Sequence, residues 1–163
     1  MDGSLQDSVA IVNLLKSVNN PIITIALGSC VSAAAMIFSC GNHRYIGDNI
    51  CYMIHQPYSP GGITNLNHAK TIDLQAMYKK DLTIYIKQIT SNGASIPEDK
   101  LKKVTKDGKD LYFSSNECKK YNIATHKFIS YDNVYKNEGI NFEEKIYSYE
   151  SLDDSEDIAE EGD

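Results

Sequence analysis

The stretch "GSCVSAAAMIFSCGNHRYIGDNICYMIHQP", residues 28–57, decides the predicted fold. Its segment "SAAAMIFSCG" (32–41) contains the helix formers Ala and Met, and Gly41 is placed to cap the end of that helix. "RYIG" (44–47) and "ICYMI" (50–54) then return to the short apolar pattern of strands. Alternation of strand and helix predicts an α/β layered fold.

The segments before this stretch extend the same pattern. "SLQDSVAIVNLLKSVNNP" (4–21) predicts a helix, because Ser4 and Asp7 have the spacing of a capping box. Four apolar residues of that helix recur on one face, namely Ile11, Leu14, Leu15 and Val18. "IITIALG" (22–28) is continuously apolar and β-branched, which predicts a strand buried on both sides.

A Pro- and Gly-rich turn at 57–62 follows the opening stretch. The longest periodic segment, 64–91, then predicts a helix. Its apolar stripe consists of Leu74, Met77, Tyr78, Leu82, Tyr85 and Ile89. A helix this long on a small domain projects from it, and its apolar stripe then needs a partner. "SIPEDKLKKV" (95–104) predicts a short helix, and "KDLYFSSNECKKYN" (109–122) predicts a strand followed by a capped helix.

Composition limits the possible classes of protein. The 163 residues, 42% of them hydrophobic, suit one folded domain. The net charge of −6 hides an acidic segment, since 150–163 carries eight acids and no base and leaves the rest near +2. We therefore predict a folded domain over 1–135 and an acidic, disordered tail over 136–163. Neither part has a basic stripe, a membrane-spanning run or a signal peptide, which argues against nucleic-acid and membrane partners.

The cysteines and most histidines suggest structural rather than catalytic positions. No two cysteines form a C-x-x-C pair, so buried thiols are predicted rather than disulfides or a zinc site, at Cys30, Cys40, Cys51 and Cys118. Three histidines stand in polar surroundings and are predicted at the surface, namely His43, His68 and His126. No histidine pair has ligand spacing with a carboxylate, so neither a metal nor another cofactor is predicted.

Ser32 and His55 are the candidate reactive residues. A serine attacks a carbonyl only when a base removes its proton and donors stabilise the oxyanion. Ser32 lies between a strand end and a helix start, where the turn exposes the hydroxyl and the helix offers unpaired N–H groups. The ordinary alternatives are an N-cap serine and a core histidine. The residues alone leave both interpretations open.

Longer motifs carry a resemblance to a known family. "MIHQP" (53–57), preceded by Gly28-x-Cys30-Val31-Ser32, is similar to the Clp (caseinolytic) protease proteolytic subunit, which has G-x-x-A-S and then M-I-H-Q-P. "GITNLNHAKTIDLQ" resembles the start of that family's long helix. "KDLYFSSNECKKYNI" resembles its D-x-F-[LM]-[ST]-A-x-E-A-x-x-Y-G motif, with Asp110 at its first position. The resemblance implies the layered ββα superhelix that Clp proteases share with crotonases, with a long projecting helix.

The resemblance also implies a site. Ser32, His55 and Asp110 correspond to the family's catalytic triad, with Asp107 as the fallback carboxylate. Backbone N–H groups of Gly3 and Ala33 correspond to its oxyanion hole.

The beginning of the sequence departs from the family pattern. The family has several strands before the position of Gly3, whereas this sequence begins at Met1, so N-terminal strands are expected to be missing. Asp2 replaces a glycine of the family motif, and its carboxylate disfavours an oxyanion nearby. Either another chain supplies the missing part, or the sequence is a fragment, or catalysis has been given up.

By resemblance, the expected function is that of an ATP-dependent serine endopeptidase subunit that hydrolyses unfolded polypeptides. Its expected partners are copies of itself, in stacked heptameric rings, and an AAA+ unfoldase. The expected location is the cytoplasm, meaning the host cytoplasm for a viral protein, with an organelle stroma as a further option. The alternatives are a non-catalytic Clp-like subunit, a viral head-maturation peptidase and, ranked last, an acyl-CoA-binding crotonase-type enzyme.

Overall fold

A computed structural model of the protein describes residues 4–57 and 68–140. Its helices are α1 (Leu5–Ser17), α2 (Ala33–Ser39), α3 (His68–Thr90), α4 (Glu98–Thr105), α5 (Ser115–Lys120) and α6 (Tyr131–Glu138). Its strands are β1 (Ile23–Ala26), β2 (Cys30–Val31), β3 (His43–Ile46), β4 (Tyr52–Ile54), β5 (Leu111–Phe113) and β6 (His126–Lys127). The predicted helices and strands of 4–122 are all found where the structure describes the chain.

The described strands form two small sheets. In the first, parallel strands lie in the order β1-β3-β6. In the second, β2 and β4 are parallel whereas β4 and β5 are antiparallel, in the order β2-β4-β5. Helix α2 links β2 to β3 and packs against α1 and α3 as well as against strands of both sheets. The buried core lies around α2, with Met36 and Phe38 beside Tyr52 and Phe113.

Strand β1 is less buried than predicted. Ile23, Thr24 and Ile25 are half-buried, and only Ala26 is fully buried. The reason is its position, because β1 pairs with β3 alone among the described strands and forms an edge of its sheet. The prediction of a strand buried on both sides was therefore wrong.

Helix α1 buries a face that differs from the predicted one. Ser4 caps the helix by accepting a hydrogen bond from the Asp7 backbone N–H at 3.2 Å, as its capping motif predicts. The core side of α1 consists of Leu5, Ser8, Val9, Val12 and Leu15. Three of the four residues predicted to share the apolar face remain exposed, namely Ile11, Leu14 and Val18. Helix α1 thus presents apolar residues to the core and to its outer side.

Among the described side chains of helix α3, the buried ones lie in its C-terminal half. Tyr85 and Ile89 are buried, whereas Ile72 and Met77 in the first half are about half exposed, at 51% and 44%. This is the long helix predicted over 64–91, of which residues 64–67 lie outside the described part.

Gly41 has a role other than the predicted helix cap. Helix α2 already ends at Ser39 with Cys40 as its cap. A Cβ on Gly41 would lie 2.4 Å from Thr24 Oγ1, so the residue must be glycine to let β1 pack against this turn. Asn122, by contrast, adopts a left-handed φ of 51°, the conformation for which Asn is the usual substitute for glycine.

Arg44 on β3 is a buried cation that joins several loops. It is only 3% exposed, and its guanidinium donates to backbone carbonyls of Gly41, Asn92, Asn122 and Ile123. Burial lowers the pKa of the guanidinium. Within the described part of the chain, backbone carbonyls offset the cost of desolvating its charge. Sequence reasoning had assigned this residue only to a strand.

Two predictions about Cys and His residues need correction. Cys51 is exposed, whereas the other three cysteines are buried, and all four thiols are free. Cys51 lies between buried Ile50 and buried Tyr52, so it falls on the exposed side of the alternating segment that leads into β4. His43 and His126 are half-buried rather than at the surface, and the imidazole of His126 stacks on Tyr45 at 4.7 Å between ring centroids. The side chain of His68 lies outside the described residues.

The chain divides into two compact units, Met1–Phe128 and Ile129–Asp163. The described part of the second unit contains α6, capped by Ser130 at its start and by left-handed Gly139 at its end. The boundary predicted at residue 135 remains a prediction, and residues 141–163 of the predicted tail lie outside the described part. Among the described helices, none is both long and apolar enough to cross a lipid bilayer.

Candidate active site

Two parallel strands deliver the candidate nucleophile and base to the same place. The register of β2 and β4 pairs Val31 with Met53, so Ser32 and His55 both follow the carboxyl ends of neighbouring strands. The Ser32 backbone N–H continues the ladder by donating to the Met53 carbonyl at 3.0 Å. Because carboxyl ends of adjacent parallel strands lie at one sheet edge, the two side chains meet there.

Ser32 has a strained backbone at the turn between β2 and α2. Its φ of 57° and ψ of −124° lie outside the regions that residues with a Cβ normally adopt. It occupies the N-cap position of α2, yet its side chain makes no capping hydrogen bond. The N-cap interpretation of Ser32 therefore does not describe what the hydroxyl does.

The hydroxyl instead contacts the imidazole. Ser32 Oγ lies 2.7 Å from His55 Nε2, within ordinary hydrogen-bonding distance. Both residues are largely buried, Ser32 with 9% and His55 with 8% of its surface exposed. A hydroxyl and an imidazole in this contact can exchange a proton when the hydroxyl attacks an electrophile.

Asp110 directly precedes β5, the strand that pairs with β4. The last pair of that register joins Ile54 to Leu111, so one further antiparallel step beyond the strands would place His55 opposite Asp110. Side chains at opposite positions have Cβ atoms about 5 Å apart. Asp110 is exposed, and its Oδ2 accepts a hydrogen bond from the Tyr112 hydroxyl at 3.4 Å. A contact between Asp110 and the imidazole remains a prediction.

The other residues predicted for the site are partly described. Ala33 is the first residue of α2 and follows the candidate nucleophile directly. Gly3 and Asp2 lie outside the described residues. Asp107, the fallback carboxylate, is exposed in the loop between α4 and β5. The predicted oxyanion donors therefore remain predictions.

Two supporting side chains were not singled out by sequence reasoning. The Gln56 amide donates to the Val104 carbonyl at 2.7 Å, which attaches the residue after His55 to the end of α4. The buried Tyr85 of α3 donates its hydroxyl to the Ser32 carbonyl at 3.1 Å. A signal for the second was present, since a tyrosine within an aliphatic stripe needs a polar partner for its hydroxyl when buried.

A layered α/β fold with a strained serine against a histidine defines a hydrolase-like site. A model of the Clp protease family matches residues 1–128. The chain belongs to the Clp protease family.

Similar proteins bear the same family name. The ATP-dependent Clp protease proteolytic subunit 2 of Tropheryma whipplei (strain Twist) is 30% identical over 127 residues, covering 76% of this chain and 67% of that protein. The ATP-dependent Clp protease proteolytic subunit 1 of Leifsonia xyli subsp. xyli (strain CTCB07) is 28% identical over 127 residues, covering 76% of this chain and 61% of that protein. This chain therefore spans about two thirds of the length of such relatives.

A solved structure has a similar fold. The crystal structure of a peptidase from Plasmodium falciparum superposes with a TM-score of 0.58 at 20% identity, covering 77% of this chain and 67% of that one. Together with the family match, this similarity confirms the predicted α/β fold of Clp type.

Proposed function

We propose that this chain is a serine-type peptidase subunit with Ser32 as nucleophile and His55 as general base. Nε2 of His55 takes the hydroxyl proton while Ser32 Oγ attacks the carbonyl carbon of a peptide bond. The resulting imidazolium returns that proton to the leaving amine, which breaks the C–N bond and leaves an acyl ester on Ser32. Water then attacks the ester by the same proton transfer and releases the acid.

The remaining roles follow from the family motifs. Asp110 orients the imidazole and stabilises it while it is charged. The N–H groups of Ala33 and Gly3 donate to the oxyanion of each tetrahedral intermediate. The antiparallel register beside His55 supports the role of Asp110, and the place of Ala33 directly after Ser32 supports that of its N–H.

The observation that carries the proposal is the 2.7 Å contact between Ser32 Oγ and His55 Nε2 at a strained turn. Backbone strain costs stability and persists where the surroundings enforce it, as at functional sites. A non-catalytic subunit has no chemical need for this pair in this geometry.

The test is labelling of the full chain with a fluorescent fluorophosphonate, which reacts with activated serines. The wild-type chain is expected to be labelled, whereas Ser32→Ala and His55→Gln are not. Ser29→Ala is the matched control, because Ser29 is an exposed serine of the loop before β2 and should be dispensable. Equal labelling of wild type and Ser32→Ala, or none in the wild type, would contradict the proposed activity.

We further propose that the chain acts in assembled rings with an AAA+ unfoldase and cleaves unfolded polypeptides. The relatives' names, ATP-dependent Clp protease proteolytic subunits, support this assignment. The exposed apolar residues of α1 and its C-cap support self-association, because Ile11, Leu14 and Val18 recur on the outer side of the helix.

Mass photometry of the full chain tests the assembly. Leu14, 68% exposed, is replaced by Glu, and Asn13→Glu on the same helix is the matched control. Leu14→Glu is expected to shift oligomers to monomers, whereas Asn13→Glu leaves the mass distribution unchanged. A wild-type chain that is monomeric at micromolar concentration, or an oligomer indifferent to Leu14→Glu, would contradict this use of α1.

A further inference from the structure

Tyr85 connects the long helix to both candidate reactive residues. It lies in the C-terminal half of α3 and is only 2% exposed. Its hydroxyl donates to the backbone carbonyl of Ser32 at 3.1 Å. The backbone of His55 lies near the same oxygen and acts to lower the pKa of the hydroxyl. One buried hydroxyl thus lies at the two strand ends that carry the Ser32 hydroxyl and the His55 imidazole.

We propose that Tyr85 is a positioning residue, whose hydroxyl holds the backbones of Ser32 and His55 in the register that aligns their side chains. This inference rests on the proposed function of the Ser32–His55 pair. The Tyr85 hydroxyl donates to the backbone carbonyl of Ser32 rather than to its Oγ, so Tyr85 acts through the backbone.

Local chemistry explains why a tyrosine is needed for this bridge. A buried hydroxyl can both donate and accept, which suits a position between the Ser32 carbonyl, to which it donates, and the nearby backbone of His55. Ser32 has a strained φ of 57°, and the Tyr85 hydroxyl adds a partner from α3 that further restricts the orientation of its peptide. Burial raises the pKa of the Tyr85 hydroxyl, which keeps the proton available for the Ser32 carbonyl.

The bridge is not required to satisfy the Ser32 carbonyl. That carbonyl also accepts from the Met36 N–H at 3.3 Å, the first turn of α2. Removal of the tyrosine hydroxyl should therefore leave α2 intact and change the conformational freedom of the turn at Ser32. The expected consequence is poorer alignment rather than unfolding.

The test compares Tyr85→Phe with Tyr52→Phe. Tyr52 is a matched control because it is also fully buried and its hydroxyl lies 2.9 Å from Ser39 Oγ, not at Ser32 or His55. Fluorophosphonate labelling at several probe concentrations separates the limiting rate constant from the half-saturating concentration. Tyr85→Phe is expected to lower the limiting rate about 10- to 100-fold at an unchanged half-saturating concentration. Tyr52→Phe is expected to lower thermal stability without changing either constant.

A second measurement does not require activity. In protein labelled with ¹⁵N-histidine, the His55 imidazole signals, assigned with His55→Gln, are compared between the variants. Tyr85→Phe should shift these signals, whereas Tyr52→Phe should not. Unchanged labelling constants or unchanged His55 signals in Tyr85→Phe would overturn the positioning role. An unlabelled wild-type chain would instead overturn the proposed function, and the imidazole signals would still decide the role of Tyr85.

Discussion

Replacing Ser32 by glycine should stabilise the fold relative to replacing it by alanine. Both substitutions remove the hydroxyl and its contact with His55, but only alanine keeps a Cβ at a φ of 57° and ψ of −124°. This ψ lies outside the left-handed helical region, so the strain belongs at the upper end of the usual range, about 3 kcal/mol. Glycine relieves that strain.

Two costs reduce the gain. Glycine increases the entropy of the unfolded chain, which costs about 0.7 kcal/mol. Loss of the mostly buried Cβ costs about 0.8 kcal/mol more. The free energy of unfolding of Ser32→Gly should therefore exceed that of Ser32→Ala by about 1.5 kcal/mol. In a domain of this size, the difference corresponds to a melting temperature about 3–6 °C higher.

The assay is urea unfolding followed by circular dichroism, with thermal melts as a second readout. Equal slopes against urea show that the two variants unfold in the same way, so their midpoints report stability directly. If Ser32→Gly is no more stable than Ser32→Ala, the backbone at this turn is not strained. The argument that strain marks a functional position would then fail.

Three other predictions concern the scaffold. Arg44→Met should lower the free energy of unfolding, measured by urea titration, by about 3 kcal/mol, because it leaves buried carbonyls without donors. Arg44→Lys should recover less than half of that loss. Gly41→Ala should lower the free energy of unfolding by about 1–3 kcal/mol, because its Cβ clashes with Thr24. Adding Thr24→Ala to the Gly41→Ala chain should restore part of that free energy, whereas additive losses from the two substitutions would refute the clash. Burial raises the pKa of the Cys30 and Cys118 thiols to about 12, from 9.0. These thiols ionise at lower pH in the unfolded chain than in the folded protein. Their contribution to the free energy of unfolding should therefore be fully present below pH 9 and be lost between pH 9 and 12. In a Cys118→Ala chain, the free energy of unfolding should fall less steeply over that range.

The sequence predicts the secondary structure better than its packing. Helix and strand positions follow local periodicity, and the M-I-H-Q-P motif identifies the family. Which face of α1 is buried depends on where α2 lies, and no local pattern contains that information. The half-burial of β1 likewise follows from its position at the edge of the described sheet. Exposed Leu14 and half-buried Ile25 are therefore tertiary effects.

The candidate site shows the same limit. Ser32 and His55 could be named from motifs, but their meeting depends on the pairing of Val31 with Met53 across 22 positions of sequence. A shift of one residue in that register would turn His55 to the other face of the sheet and separate it from the hydroxyl.

The bridge from Tyr85 reaches the same two strand ends from α3, a helix that begins after both of them in the chain. A substitution that moves α3 without touching the strands should therefore disturb the Ser32–His55 distance. Correct pairing of β2 and β4 should bring the serine and the histidine together, whereas docking of α3 should align them. Local sequence encodes neither step, which explains why the motifs identify the residues but not their geometry.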